Sequence, residues 1–182
     1  MLKHAIEIYK YRELLVSLVS KDLNARYKGS FLGFLWTFVN PIMQLIIYSV
    51  VFTYIFKIQQ PNYAMFLFVA LLPWTGFITA LSGSLGCVVG NASLVKKIYF
   101  PRLILPISIS LTYMVDYMYC LPILFLVMAI CKIPFTIYLL FLPLLILIQL
   151  IYKTGLCFIF SAMNVRFRDM QQIVGILTMA WF

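Results

Sequence analysis

The sequence predicts an all-α protein: a polytopic transmembrane helical bundle with an amphipathic interfacial helix at its N-terminus, four complete spans and the start of a fifth. Three observations carry that expectation. Of the 182 residues, 64% are hydrophobic and 10% are charged, whereas soluble domains carry roughly 45–50% apolar and about 25% charged residues. Mean hydropathy is +1.03, and a chain this short cannot hide so much apolar surface from water. The apolar residues also fall into runs of about the 20 residues needed to cross roughly 30 Å of hydrocarbon. The solvent is lipid. Disordered chains, secreted disulfide scaffolds and soluble enzymes are excluded.

The first 30 residues lack a short apolar core followed by a small-residue cleavage site, so no cleavable signal is read there. Instead Ile8, Tyr11, Leu15, Leu18 and Val19, with Leu14 and Leu23, recur at three- and four-residue spacing, and Lys10, Arg12, Glu13, Lys21 and Asp22 take other positions. A helix this polar does not span, and it is expected to lie in the membrane interface. The alternative is a helix packed on protein. Gly29-Ser30 turns the chain into the transmembrane part, residues 31–182. Its spans are expected at about 31–56, 65–90, 103–131 and 137–163. A last apolar run, 173–182, reaches only about 15 Å as a helix, so the sequence reads as ending inside a membrane helix.

Lys and Arg number 14 against 5 Asp and Glu, a net charge of +9. The basic groups separate the apolar runs, which points to membrane topology rather than nucleic acid. Residues 1–30 hold six: Lys3, Lys10, Arg12, Lys21, Arg26 and Lys28. The next connection has Lys57; 91–102 has Lys96, Lys97 and Arg102; then come Lys132, and Arg166 with Arg168. The series 6, 1, 3, 1, 2 alternates as the positive-inside rule requires for a cytoplasmic N-terminus.

Chemistry on a substrate is not expected. The one histidine, His4, stands near the terminus, and no GxxxxGK[ST] run for nucleotide phosphates occurs. Glu7, Glu13, Asp22, Asp116 and Asp169 do not share a metal-holding spacing, and Cys87, Cys120, Cys131 and Cys157 read as small apolar residues. No catalytic residue, metal or cofactor is assigned. Two charges fall inside spans, Asp116 and Lys153, and such groups are functional candidates by default. Counted from the same membrane face they lie at roughly 20 and 15 Å depth, close enough to pair. The first reading is a structural pair between helices; the other is a polar lining of a translocation path. Asn40-Pro41, Pro122 and Pro143 are expected to kink their spans, and Ser82, Gly86 and Gly90 form a small face for close helix packing.

Three stretches carry a resemblance: RELLVSLVSKDLNARYKGSFLGFLWTFVNP from Arg12 to Pro41, NASLVKKIYFPRLILPIS over 91–108, and NVRFRDMQQIV over 164–174. Each resembles the matching segment of the membrane-spanning permease subunit of type-2 ABC exporters for lipid-linked polysaccharides, the O-antigen, teichoic acid and capsule group. The resemblance runs over essentially the whole chain. It implies a homodimer of six-span subunits in the bacterial cytoplasmic membrane, driven by a separate ABC ATPase subunit that binds the ATP. The cargo it implies is a lipid-linked glycan. Family members continue past residue 182, so the chain is expected to be C-terminally truncated relative to them.

The resemblance also implies sites. The coupling segment against the ATPase matches 91–102, with Leu94, Lys96, Lys97, Tyr99, Phe100 and Arg102 as contacts. Arg26, Lys28, Arg166 and Arg168 are candidates to attract an anionic lipid head group. Two rival functions are weighed beside export of glycan: a type-2 ABC permease for a drug or small lipid, and a membrane-embedded transferase of envelope synthesis. The second would need intramembrane carboxylates or histidines that this sequence offers almost nowhere.

Overall fold

The computed structural model describes residues 10–52 and 63–181. The expectations for Lys3, His4, Glu7 and Ile8, the Lys57 connection and the far end of the first span fall outside them. Among the described residues the chain is helical throughout, without strands. Helix α1 covers Arg12–Tyr27, a short 3-10 turn covers Gly33–Leu35, and α2 covers Trp36–Val50. Helix α3 is Tyr63–Gly90, α4 is Ala92–Lys97 and α5 is Ile104–Ile130. A second 3-10 turn at Ile137–Phe141 leads into α6, Leu142–Arg166, and α7 is Met170–Trp181. Four helical segments are long and apolar enough to cross a membrane: Gly33–Val50, Met65–Gly90, Ile104–Ile130 and Ile137–Arg166.

Helix α3 is the hub, packing on α2, α4, α5, α6 and α7. Three apolar clusters hold it in place. At one level Met65, Phe68 and Leu72 meet Cys120, Leu124 and Met128 of α5. On another face Phe77, Leu81 and Leu85 meet Met170 and Val174 of α7. At the third, Leu18 of α1 meets Cys87, Phe100, Ile104 and Leu105. Lipid is as apolar as these side chains, so within the bilayer they stabilise by fit and dispersion more than by transfer from water.

Close fit comes from residues other than the small face read from the sequence. Gly86 and Gly90 have nothing against them within 4 Å of a Cβ position. Gly83 does: a Cβ there meets the Tyr113 ring at 3.0 Å. Gly76 also sits against α5, with Tyr117 Cβ at 3.9 Å. The contact face is therefore Gly76 and Gly83, seven residues apart, and the Ser82–Gly86–Gly90 stripe looks away from this packing.

One of the three proline expectations also changes. Pro41 and Pro122 lie inside helices, but Pro143 is in the first turn of α6, where a missing N–H costs nothing. Pro73 is a further interior proline, in α3. Its carbonyl accepts a 2.7 Å hydrogen bond from Gln149 Nε2 on α6.

Helix α1 packs on protein. Tyr11, Leu14 and Leu15 close over the cluster that buries Leu18, and α1 runs along the first half of α5. The two ends fix that direction: Tyr11 Oη donates to Tyr99 O at 3.4 Å, and Arg26 reaches Asp116. Its outward side mixes exposed Arg12, Glu13 and Lys21 with Val16, which is 61% exposed. The helix therefore packs on protein and has no clean division into apolar and polar sides.

Candidate functional site

Two regions of the bundle gather polar and charged groups. The first is the end where α3 turns through α4 into α5. Asn91 Nδ2 donates to Cys87 O at 2.9 Å, and Lys21 of α1 donates to Asn91 Oδ1 at 3.1 Å, which ties the turn to α1. Leu94 and Val95 pack inward on the Leu18 cluster, and Phe100 is buried in it. Lys96, Lys97 and Arg102 are exposed, and Tyr99 is 95% exposed. Of the six residues expected to face a partner, Leu94 and Phe100 therefore serve as the anchor. The outward surface is Lys96, Lys97, Tyr99 and Arg102, joined by Ile98, which is 51% exposed. Arg166, the last residue of α6, and Arg168, in the turn to α7, are exposed at the same end of the bundle.

The second region is the middle of α5. Asp116 forms an ion pair with Arg26 from the end of α1, and the Arg26 guanidinium lies over the Tyr113 ring, 4.1 Å from its centroid. Tyr113 thus lies against both a cation and Gly83 of α3. Arg26 is thereby engaged by Asp116 and Tyr113, with its side chain still 31% exposed, and Lys28, Arg166 and Arg168 are exposed as well. The depth argument had paired Asp116 with Lys153. Among the described residues Lys153 Nζ makes no hydrogen bond or ion pair, although the residue is only 3% exposed.

The depth itself also shifts. A 27-residue α5 is about 40 Å long, roughly 10 Å more than the hydrocarbon is thick. The exposed charges of α1 lie beside its first half and cannot sit in lipid. The excess is therefore at that end, and Asp116 lies about 10 Å shallower than its position in the run suggests.

Helix α2 begins beside the middle of α5, not at its end. Cys120 Sγ donates to Thr37 O at 3.4 Å, and Phe34 stacks edge-on with Tyr119 at 5.1 Å between centroids. Between α1, α2, α3 and α5 a cavity of about 410 Å³ remains open. Arg26 and Asp116 lie in its wall with Trp36, Asn40, Gln44 and Tyr117. Among the described residues the side-chain amides of Asn40 and Gln44 have no hydrogen-bond partner. A second cavity, about 830 Å³, lies between α3, α5 and α6 and is apolar apart from groups such as Gln149 and Tyr152. No three His, Cys, Asp or Glu side chains converge as metal ligands among the described residues.

Residues 13–182 match the family model described as ABC-2 type transporter. The chain belongs to the ABC-2 membrane family. It is 40% identical over its whole length to an O-antigen export system permease protein of Myxococcus xanthus, covering 70% of that relative. It is 33% identical, over 93% of its length, to a protein of the same name from Klebsiella pneumoniae, covering 66% of that one. The family makes this chain a membrane component of a transporter.

Proposed function

We propose that this ABC-2 chain belongs to a permease exporting polysaccharide of O-antigen type across the bacterial cytoplasmic membrane, lipid-linked and powered by a separate ABC ATPase that binds the ATP. The observation that carries the reading is the whole-length similarity to the O-antigen permease of Myxococcus xanthus. The charge series of the connections, 6, 1, 3, 1, 2, supports a cytoplasmic N-terminus and sets the basic end on the ATP side. There the exposed Lys96, Lys97, Ile98, Tyr99 and Arg102 offer an aromatic and basic surface on a short helix and the segment that follows it, anchored by Leu94 and Phe100. A push on that surface reaches α3 and α5 directly, because α4 joins them. Lys28, Arg166 and Arg168 remain as the basic groups for a pyrophosphate head group. A second copy of the subunit would complete the conduit.

The test is complementation. A deletion strain lacking the full-length permease is expected to lose surface polysaccharide and regain it with the wild-type gene. Lys96→Glu, Lys97→Glu and Arg102→Glu together are expected to leave the permease in the membrane but abolish co-purification of the ATPase. Normal surface polysaccharide in the deletion strain overturns the cargo, and retained ATPase overturns the docking face.

A further inference from the structure

The cavity between α1, α2, α3 and α5 has properties that narrow what it holds. Asn40 and Gln44 stand one turn apart on α2, a segment otherwise apolar enough to span, and both line the opening. An amide facing hydrocarbon without a partner costs on the order of several kcal/mol, so a lipid tail is a poor occupant. Thr75 and Thr79 across the cavity donate their hydroxyls to their own helix, at 3.1 Å to Leu72 O and 2.6 Å to Thr75 O. Their oxygen lone pairs remain as acceptors. An anion is also a poor occupant, because the cation in the wall, Arg26, is committed to Asp116 and to the Tyr113 ring. Lys153 is not in the wall. What is left is a neutral group rich in hydroxyls that has apolar faces to lay on Trp36 and Tyr117. The volume lies in the range of small-molecule sites.

We propose that this cavity binds neutral sugar residues of the exported chain, with Asn40, Gln44 and the Arg26–Asp116 pair bonding the hydroxyls and Trp36 and Tyr117 packing on the ring faces. This rests on the export reading above and gives it a recognition site within one subunit. Sugars suit the site because each hydroxyl both donates and accepts, matching amides that need one of each. Bonds of this type are individually weak in a membrane protein, so the sugar is held loosely enough to move on.

The experiment uses the full-length permease with its ATPase in the native host. Asn40→Leu with Gln44→Leu keeps the side chains close in size and suits a span, and is expected to lower surface polysaccharide at least tenfold. Permease level and co-purified ATPase are expected to stay at the wild-type value. Surface polysaccharide within twofold of wild type overturns the proposal. Independently of that variant's folding, a benzoyl-phenylalanine photo-crosslinker replacing Trp36 is expected to give a glycan adduct detected with antibody to the surface polysaccharide. The same crosslinker replacing Ile151, exposed on α6, is expected to give none. An adduct to a second copy of the permease, or equal glycan labelling at both positions, overturns the proposal. So does absence of an adduct in a strain that exports normally. If the wild-type permease carries no polysaccharide at all, the export reading itself fails and this site falls with it.

Discussion

Along α6, polar side chains reach across to neighbouring helices. Gln149 bonds Pro73 O, Cys157 Sγ points to Ala80 O at 3.7 Å, Asn164 Nδ2 bonds Leu85 O at 2.6 Å, and the Ser110 and Thr154 hydroxyls meet between α5 and α6. Along α2, Asn40 and Gln44 face an opening instead. Both helices belong to segments apolar enough to span, and both pack on α3 and α5. The difference lies in what their polar residues are for. Side chains that satisfy backbone carbonyls lock two helices in one register, and a seam built from them has one arrangement. Side chains left facing a cavity hold their bonding capacity for an occupant. The α6 seam is the frame, and the α1–α2 wall is where the proposed occupant would bind.

The sharpest way to break this comparison is at Arg26. Arg26→Leu leaves Asp116 charged and only 17% exposed, and loss of one partner of a partly buried pair is expected to cost about 2–3 kcal/mol. Detergent-resistant folding, read by fluorescence-detected size exclusion, is expected to fall. Arg26→Asp with Asp116→Arg is expected to recover most of it. No recovery would mean that the two residues are stabilised by their surroundings and not by each other.

Lys153 tests the frame. It is the buried charge of the seam that lacks a partner among the described residues, so Lys153→Met is expected to raise stability by about 2 kcal/mol. Thermal inactivation of the purified permease reads this directly. A fall instead would show that the assembled transporter supplies the lysine with a partner.

Smaller effects separate the two glycine sets. Gly83→Ala forces its Cβ within 3.0 Å of Tyr113 and is expected to cost about 1 kcal/mol or more. Gly86→Ala meets nothing within 4 Å and is expected to gain up to about 1 kcal/mol from helix propensity alone. Equal effects at both would remove the distinction between a fitted and an open face of α3.

The smallest effect is a pH dependence on α1. Burial raises the Asp22 carboxyl above its ordinary value of 3.8, against the opposing pull of Lys21 and Arg26. The folded chain then holds that proton to higher pH than the unfolded one. Any stability it adds is present at low pH and lost as pH rises through the folded value. Asp22→Asn is therefore expected to gain under about 1 kcal/mol at neutral pH, after solvent screening, and nothing below about pH 4. A gain that persists in acid would assign the effect to packing.

Much of the architecture is legible in the amino acids because lipid imposes a length on every apolar run. The run at 65–90 became Tyr63–Gly90 and that at 103–131 became Ile104–Ile130. Partners across the bundle are a different matter. Counting residues along a span gives a depth but not the neighbour at that depth, and Arg26 lies 90 positions from Asp116. The count also assumed that α5 starts at the membrane surface, which the charges of α1 deny. Pro73 and Gly83 were hidden in an apolar run where any residue looks alike. Asn40 and Gln44 did carry a signal, two amides at i and i+4 in a span, although only packing reveals that they share an opening. At the turn through α4, the alternation of outward Lys96, Lys97 and Tyr99 with inward Leu94 and Phe100 was present in the string. The division needed Leu18 of α1 to be seen as the surface that the inward pair covers.

The distance between Arg26 and Asp116 along the chain has a consequence for biosynthesis. Ribosomes add about 5–20 residues per second, so Arg26 emerges roughly 5–20 s before Asp116 is made. For that interval the arginine stands on the side of the membrane where α1 was left, solvated and at little cost. Asp116, whose insertion is the expensive event, arrives second and finds its counter-charge already waiting. The order of synthesis spares the carboxylate a period alone in the bilayer, and reversing the two charges would reverse which of them has to wait.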